Sequence, residues 1–409
     1  MNTEVMNNGD QVICRVHRGG KLFGILVIHS SYRGTSRGGI RMAPDVEEDE
    51  VRWLAEGMTL KFGILGLPQG GAKAGVRSDP DAPWETRLEI LKTFGKAILP
   101  FLRQQAFLPA ADMGTDNEMV RRMLTDLDVP VFYRQLRQGR SGYFTAMTVF
   151  AAAKHAANAI GLPFSGSSAV IEGFGKVGSA LARMFREASV RVVGISTSHG
   201  ALIHPKGLNV ENLIRAAHAE GSKFVTTFTE VERMPREKIW EQASDILCPC
   251  ACHNAIDAGN EPRIRCRIVS AGSNHPYDLP TEKTLTGRGI LCIPDFVSNL
   301  GGVLGPTLAF AGWRDDEISE YMNRRMGGYL LPLIEESRKR GTPMMEIAGQ
   351  EALARHAGLQ QSVEHPGIVS RIKSLGLQFH RHGLLPSSLV RMLSRGYFER
   401  EVFRPHQIR

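Results

Sequence analysis

The sequence predicts an α/β protein with two domains, and three observations support this class. The chain has 409 residues, a length that accommodates two domains. From residue 169 onwards it contains the strand–helix–strand pattern AVIEG, KVGSALARMFREA and VRVVGIS, and further short apolar segments follow in DILCP, RIVSAGS and ILCIPD. Such a unit implies a parallel sheet with a right-handed crossover, and the later strands extend it to a doubly wound sheet.

Composition and charge narrow the class of protein. A hydrophobic content of 42% with 22% charged residues is typical of soluble globular proteins. No apolar run approaches the roughly 18 residues of a membrane span, and the first ten residues lack the apolar stretch of a secretory signal. The six cysteines show no disulfide-framework spacing, which predicts a reducing cytoplasm.

The net charge of +8 is concentrated in the last fifty residues. No zinc-finger, RNP or helix-turn-helix motif accompanies it, so nucleic-acid binding is only a minor hypothesis. The alternating cysteines of CPCAC lack the spacing of a zinc site, and we expect no metal.

The first part of the chain predicts mixed strands and helices. Residues 11–30 read as a strand pair around two glycines. Acidic residues ahead of apolar residues at helical spacing predict a helix over 45–62, and a second helix is predicted over 84–102. Between them, GILGLP (63–68) predicts a short buried strand that leads into a glycine-rich loop carrying Lys73.

The stretch LPQGGAKAGV surrounds Lys73 with small residues. Glycine lets the backbone bend or approach its neighbours closely, so Lys73 is predicted to project from a tight loop into a confined space where desolvation lowers its pKa. A surface turn with a solvated lysine is the alternative.

Gly173, Gly175 and Gly178 form GFGKVG at the junction of the first strand and the helix of the strand–helix–strand unit. In this context the pattern predicts a dinucleotide site, because the glycines allow a pyrophosphate to approach the helix N-terminus. The second strand ends at Thr197 with no carboxylate nearby. An acid there would bind the ribose hydroxyls and repel a 2′-phosphate, so the expected cofactor is NAD or NADP.

Several further motifs occur in a fixed order: RGGIRMAPD, MTLKFGILGLPQGGAKAG, PAADMGTDNEM, TAMTV, DILCPCA, AGSN and PDFVSNLGGV. With GFGKVG they resemble the glutamate/leucine/phenylalanine/valine dehydrogenase family over roughly residues 20–312. The resemblance implies a dimerisation-type catalytic domain (1–140), a Rossmann NAD(P)-binding domain (141–312) and a helical C-terminal region with a basic extension (313–409). It places the active site in the cleft between the two domains.

The resemblance also implies roles for individual residues. Lys73 matches the catalytic lysine, Asp112 the catalytic aspartate, and Lys61 the lysine that binds the substrate α-carboxylate. The remaining candidates are Arg37, Gly38, Gly39, Asn299 and Val303 for substrate, and Thr145, Gly173, Gly175, Lys176, Val177, Gly178, Thr197, Ala251 and Asn274 for the cofactor.

The expected reaction is the reversible oxidative deamination of an L-amino acid by a cytoplasmic homo-oligomer. Arg37 replaces the lysine with which glutamate-specific members bind the side-chain carboxylate, and it keeps a cation. A serine three residues after Val303 is missing, since Pro306 stands there, and the first forty residues resemble the leucine and phenylalanine enzymes. Glutamate is slightly favoured over an apolar or aromatic amino acid.

One alternative function and one question about the C-terminal tail remain. A non-catalytic homologue could bind a dinucleotide and act as a regulatory subunit, although Lys61, Lys73 and Asp112 together argue against it. The tail at 358–409 exceeds what the family needs, and it could pack on the catalytic domain, contact another subunit or form a solvated appendage.

Overall fold

The computed structural model describes residues 1–9, 11–131, 140–361, 379–380 and 384–404. Residues 362–378, 381–383 and 405–409 of the predicted basic extension lie outside this part of the chain. The described residues form two compact units. The first unit takes its described residues from 1–139, 310–312 and 351–409, and the second unit from 140–309 and 313–350.

The first unit is built on a six-stranded mixed sheet. Its N-terminal elements are β1 (Asn2–Asn8), β2 (Gln11–Arg18), β3 (Lys21–Ile28), β4 (Ser36–Ala43), α1 (Glu48–Leu65), β5 (Gly70–Arg77), α2 (Trp84–Ala97), α3 (Leu99–Arg103), β6 (Phe107–Ala111) and α4 (Asn117–Asp126). The strand order is β1-β2-β3-β5-β4-β6. Strand β5 is antiparallel to β3 and parallel to β4, which is parallel to β6. The predicted strand pair at 11–30 is confirmed as the antiparallel pair β2–β3.

Both faces of this sheet are covered. On one face, which we call the α1 face, Ile25 and Val27 of β3 pack with Val51 and Ala55 of α1. On the other face Ala72 of β5 and its alternate neighbours pack with residues of α2 and α4. Because side chains alternate along a strand, Lys73 belongs to the α1 face.

The second unit contains a seven-stranded sheet, with helices before, between and after its strands. Its elements are α5 (Ser141–Ala159), β7 (Ser168–Glu172), α6 (Lys176–Glu187), β8 (Arg191–Thr197), β9 (Gly200–Ile203), α7 (Val210–Glu220), β10 (Arg233–Met234), β11 (Ile246–Pro249), β12 (Ile268–Ser270), α8 (Leu279–Gly287), β13 (Leu291–Ile293), α9 (Asp295–Ser298), α10 (Gly301–Phe310), α11 (Asp315–Arg340) and α12 (Met344–Gln361). The order is β10-β9-β8-β7-β11-β12-β13, and β8, β7, β11, β12 and β13 are parallel. The predicted α/β class and strand–helix–strand unit are confirmed.

The last residues of α12 and the final helix α13 (Ser387–Glu401) belong to the first unit. The described part of the tail thus packs on the N-terminal elements, the first of the alternatives considered for it. Among the described residues, no helix combines the length and apolar character needed to cross a membrane. All six cysteines are free thiols.

Two local predictions are wrong. Residues 63–65 continue α1 and form no strand, and the glycine-rich segment around Lys73 is strand β5 instead of a loop. The glycines have packing reasons: a Cβ at Gly63 would lie 2.0 Å from Ala352 O, and one at Gly71 would lie 2.3 Å from Thr59 Oγ1. Glycine here permits close approach between neighbouring elements and does not break the element that contains it.

Candidate active site

A buried ion pair joins Lys73 to Asp112 in the first unit. Lys73 Nζ lies 2.7 Å from Asp112 Oδ2. Lys73 is only 4% exposed, whereas one fifth of the Asp112 side chain is accessible to solvent. The pair therefore combines a desolvated ammonium with a carboxylate that a small molecule can reach.

Asp112 is held directly after β6 by a short hydrogen-bonded turn. Its backbone N–H donates to Thr115 Oγ1 at 2.9 Å, and the Thr115 hydroxyl donates to Ile40 O of β4 at 2.8 Å. Gly114 has φ +75°, and a Cβ on it would lie 2.2 Å from Met42 O. The turn thus requires glycine at this position, and it ties Asp112 to the neighbouring strand.

Arg41 and Glu50 extend the ion pair into a four-residue network that the sequence interpretation did not include. Arg41 Nε lies 3.2 Å from Asp112 Oδ2, and Arg41 Nη1 lies 2.5 Å from Glu50 Oε1. Both residues are buried. The sequence carried a signal for Arg41, because strand alternation in RGGIRM puts Arg37, Gly39 and Arg41 on one face. Glu50 was interpreted only as an acid in the first turn of a helix.

Burial and the charges of this network shift the pKa values of Lys73 and Asp112. Burial lowers the pKa of the Lys73 ammonium, which Asp112 opposes and the Arg41 guanidinium reinforces. Burial alone would raise the pKa of Asp112, but Lys73 and Arg41 outweigh it and hold that pKa well below its usual range. Asp112 is therefore a carboxylate, and Lys73 gives up its proton more readily than an ordinary lysine.

The other candidates in the first unit occupy α1 and β4. Lys61 lies on α1 and is 7% exposed, and Arg37 is half-buried on β4. Gly39 lies on β4 at the ion pair, where a Cβ would be 2.8 Å from Asp112 Cβ and 3.3 Å from Lys73 Nζ. A Cβ at Gly38 would overlap Ala72 O at 1.6 Å, so this glycine serves the contact between β4 and β5.

In the second unit the predicted glycines surround the N-terminus of α6. Gly173 has φ +94°, and a Cβ on it would lie 2.7 Å from the backbone nitrogen of Ala251. A Cβ on Gly178 would lie 2.0 Å from Gly173 O, so this glycine lets α6 pack tightly against the turn. Gly175 is the N-cap of α6, makes no side-chain capping bond, and has open space where a Cβ would be. Lys176 and Val177 begin the helix.

These observations fit a dinucleotide. The uncapped N–H groups in the first turn of α6 favour an anion such as a pyrophosphate. Asn299 is 3% exposed, and its side-chain nitrogen donates to Ser273 O at 2.8 Å and to Asn274 Oδ1 at 3.0 Å. Its Oδ1 is buried and has no hydrogen-bond partner among the described residues. Such an acceptor suits an N–H donor of a bound molecule.

Thr145, Val303 and Thr197 occupy three further places in the second unit. The Thr145 hydroxyl donates to Ser141 O, and a Cβ at Gly302 would lie 2.7 Å from it, so Thr145 adjoins the start of α10. Val303 is half-buried on the same helix. Thr197 ends β8, and its Oγ1 accepts a hydrogen bond from the backbone N–H of His199 at 3.1 Å.

A cavity of about 330 Å³ adjoins the end of β8. Its lining consists of Ser198, His199, Gly200, Arg233, Met234, Pro235, Arg236 and Glu237. Two arginines thus share the lining with one carboxylate, which gives it a net positive charge. Arg236 also lies 3.0 Å from Glu172, a buried carboxyl group whose pKa is raised by burial.

No group of three or more histidines, cysteines, aspartates or glutamates in the described ranges is arranged to hold a metal ion.

Comparison with known proteins gives matches along most of the chain. Residues 11–128 match the Glu/Leu/Phe/Val dehydrogenase dimerisation domain, and residues 139–362 match the Glutamate/Leucine/Phenylalanine/Valine dehydrogenase family. The chain is 34% identical to a glutamate dehydrogenase of Thermotoga maritima over 307 residues, which are 72% of each chain.

Relatives with different cofactor specificities occur at similar identity. An NADP-specific glutamate dehydrogenase of Saccharolobus shibatae is 30% identical over 76% of this chain and 73% of its own. An NAD-specific glutamate dehydrogenase of Staphylococcus aureus is 31% identical over 77% and 80%. The fold is also similar to hetero-hexameric glutamate dehydrogenase from Thermus thermophilus in its Leu-bound form, with a TM-score of 0.72, 24% identity, and coverage of 83% and 85%.

Proposed function

The chain belongs to the glutamate/leucine/phenylalanine/valine dehydrogenase family and is an NAD(P)-dependent amino acid dehydrogenase, and we propose that its substrate is L-glutamate. The observation that carries the catalytic assignment is the buried contact of 2.7 Å between Lys73 and Asp112. The overall reaction converts the amino acid, water and the oxidised nicotinamide into the 2-oxo acid, ammonium, the reduced nicotinamide and a proton.

We assign each side chain of the first unit one task. A nicotinamide dinucleotide held at the N-terminus of α6 by Gly173, Gly175 and Gly178 would supply the hydride acceptor for the substrate α-carbon. Lys61 pairs with the α-carboxylate and orients the α-carbon. Lys73 accepts a proton from the water that attacks the resulting imine carbon, and the burial that lowers its pKa favours the unprotonated amine that this role requires. Asp112 carries protons to and from the departing amino group.

Arg37 supports the choice of glutamate. It shares its face of β4 with Gly39 and Arg41 by strand alternation, and Gly39 adjoins the ion pair. A guanidinium there matches a distal carboxylate, because its planar pair of N–H donors can bind both carboxylate oxygens. Leu304 and Pro306 of α10 favour the competing proposal of an apolar substrate, because they supply no hydroxyl.

A substrate panel tests the assignment. The measurement is kcat/KM for glutamate, leucine, phenylalanine and tryptophan in the wild type and in Arg37→Leu. We expect glutamate to be preferred, and the preference to fall at least tenfold in the variant. A wild-type preference for an apolar amino acid that Arg37→Leu leaves unchanged would refute glutamate. Absence of turnover with any amino acid would refute catalysis altogether.

We further propose that the enzyme accepts NADP at least as well as NAD. The support is the cationic cavity beside Thr197 together with the missing carboxylate at the end of β8. A 2′-phosphate on the adenosine ribose would pair with Arg233 or Arg236 there. Initial rates with NAD⁺ and NADP⁺ test the proposal, and strict specificity for NAD⁺ would contradict it.

We also propose a homo-oligomer. The edge strand β1 exposes Val5 and Met6, which are 50% and 39% accessible. Exposed sheet edges with apolar side chains favour pairing with a second chain. Light scattering coupled to size-exclusion chromatography measures the mass directly, and a value near that of one 45.1 kDa chain would contradict the proposal.

A further inference from the structure

The C-terminal part of the chain contacts the connection between α1 and β5, residues 66–69. This connection joins the helix that carries Lys61 to the strand that carries Lys73. Its first residue, Gly66, is the C-cap of α1 with φ +61°, and its N–H bonds back to Gly63 O at 3.0 Å. The separation of the two lysines thus depends on how rigidly this short segment is held.

Arg355 of α12 binds the ends of two helices at once. Its Nη1 donates to Ile64 O, in the last turn of α1, at 2.7 Å. Its Nη2 donates to Glu401 O, the last residue of α13, at 2.7 Å. The last carbonyls of a helix have no intrahelical partners and carry partial negative charge, so a guanidinium is well suited to them. Arg355 therefore hydrogen-bonds to the C-terminal ends of both helices and holds α13 against α1.

Three other side chains from the same part of the chain hold this region. His356 Nε2 lies 3.0 Å from Gln69 O, and the Tyr397 hydroxyl donates to Gly66 O at 3.0 Å. Gln360 Nε2 donates to Ser31 O at 2.8 Å, next to Ser30, whose hydroxyl accepts the N–H of Gly71 at 2.9 Å. The connection is thus hydrogen-bonded directly to α12 and α13, and the start of β5 is linked to α12 through Ser30 and Ser31.

Backbone packing makes the contact rigid. A Cβ at Gly63 would lie 2.0 Å from Ala352 O, so α1 and α12 touch through their main chains. A Cβ at Gly66 would lie 2.7 Å from Glu401 O and 2.9 Å from Arg355 Nη2. Phe398, Val402 and Phe403 are buried, which anchors α13 through apolar contacts as well. Close-packed elements of this kind resist small displacements.

We propose that Arg355 is a positioning residue for the dehydrogenase reaction, because it holds the C-terminal end of α1, directly before the connection to β5, and so fixes Lys61 relative to Lys73. The inference rests on the proposed catalytic roles of those two lysines. It assigns a function to the C-terminal segment, which has no chemical group in the reaction itself. A shift of about 1 Å in a catalytic group can lower a rate on the order of a hundredfold, so a positioning residue has a measurable effect.

The central test is Arg355→Met, which keeps length and removes both hydrogen bonds. We expect kcat/KM for the amino acid to fall at least tenfold, while the dissociation constant for the dinucleotide stays within twofold, since the predicted cofactor residues lie in the second unit. Arg355→Ala, which leaves the space of the side chain empty, should lose activity to a similar degree and regain part of it with free guanidinium at millimolar concentration. Arg355→Lys keeps the charge but loses the planar pair of donors, so its kcat/KM should lie between the values of Arg355→Met and the wild type.

Hydrogen exchange supplies a readout that does not depend on turnover. We expect faster deuterium uptake at 62–73 in Arg355→Met, with unchanged uptake at 168–180 in the second unit. The milder variant Tyr397→Phe removes only the bond to Gly66 O and should give the same pattern with a smaller amplitude. Arg404→Ala, an exposed arginine of the same segment, is the matched control and should behave as wild type.

The proposal is overturned if Arg355→Met keeps kcat/KM within twofold and exchange at 62–73 is unchanged. It is also overturned if exchange rises equally in both units, because that result indicates general destabilisation. If the wild type itself oxidises no amino acid while exchange at 62–73 still responds to Arg355→Met, the proposed catalytic function fails and the structural part of the inference stands.

Discussion

Lys73 and Asp112 meet across a strand that lies between them. Lys73 belongs to β5 and Asp112 follows β6, and β4 separates these strands in the sheet. The 2.7 Å contact passes over Gly39 of β4, which has no side chain to block it. The ion pair therefore depends on Gly39, although this residue contributes no side chain to the contact.

Replacement of either partner should abolish turnover. We expect Lys73→Ala and Asp112→Asn each to lower kcat by on the order of a hundredfold or more, because each removes a proton-transfer group. Dinucleotide affinity, measured by fluorescence or calorimetry, should be unchanged. Near-normal turnover in either variant would show that its residue has another role.

Gly39→Ala should impair catalysis without removing any polar group. The added methyl group would lie 2.8 Å from Asp112 Cβ and 3.3 Å from Lys73 Nζ, so one of the two must move. We expect kcat to fall at least tenfold. Gly57→Ala on α1, where a Cβ meets no atom within 4 Å, is the control and should keep wild-type rates.

The pH dependence of the rate should report on Arg41. Burial and the Arg41 charge both lower the pKa of Lys73, so kcat should rise with pH through an inflection below the ordinary lysine value of about 10.4. Arg41→Met/Glu50→Gln neutralises both members of that buried pair. The Arg41 charge lowers the pKa of Lys73 by more than the Glu50 charge raises it, so the inflection should move to higher pH. An unmoved inflection would mean that another group controls the profile.

Cofactor preference should respond to two substitutions, one at the end of β8 and one in the lining of the cavity beside it. Thr197→Asp places a carboxylate at the end of β8 and should shift the ratio of kcat/KM values towards NAD by repelling a 2′-phosphate. Arg233→Ala should lower kcat/KM for NADP by roughly tenfold and leave kcat/KM for NAD nearly unchanged. Equal losses for both cofactors in Arg233→Ala would place this arginine outside a 2′-phosphate site.

Glu282 should make the second unit less stable as pH rises. It is 1% exposed, its Oε1 accepts the N–H of Met345 at 3.2 Å, and its Oε2 has no hydrogen-bond partner among the described residues. Burial raises its pKa from 4.5 to about 8. Between these values the folded state keeps a proton that the unfolded chain has released, so the free energy of unfolding decreases as pH rises.

Glu282→Gln keeps the acceptor for Met345 and removes the titrating proton. We expect it to raise the melting temperature at pH 8 and to change it little at pH 5. Parallel shifts at both pH values would indicate a packing effect without a contribution from ionisation.

The sequence predicted the parts of the fold that depend on local pattern. The strand–helix–strand unit around Gly173 follows from apolar periodicity and from a turn whose glycine has φ +94°. The first helix was recognised by its acidic start, although its end was not. Gly63 lies inside α1, and this position is glycine because Ala352 approaches it closely. A contact with a residue so distant in the chain leaves no local signal in the sequence.

The same distinction applies to the site. Lys73 and Asp112 were assigned through family motifs, but the strand around Lys73 was mistaken for a loop because its glycines were interpreted as sites of backbone bending. They adopt ordinary strand geometry, and Gly70 and Gly71 make room for Ser30 and Thr59. Glu50 could not be assigned from sequence, because its pairing with Arg41 arises only when α1 packs on the sheet.

The placement of α13 has a consequence for synthesis on the ribosome. Val402 and Phe403, buried in the first unit, are synthesised after the second unit, whereas the sheet of the first unit is synthesised before it. At about 5–20 residues per second the interval between them is on the order of tens of seconds. The second unit emerges in between and can fold while the first still lacks its last helix. The first unit thus stays incomplete throughout that interval, which gives chaperones a defined segment to protect.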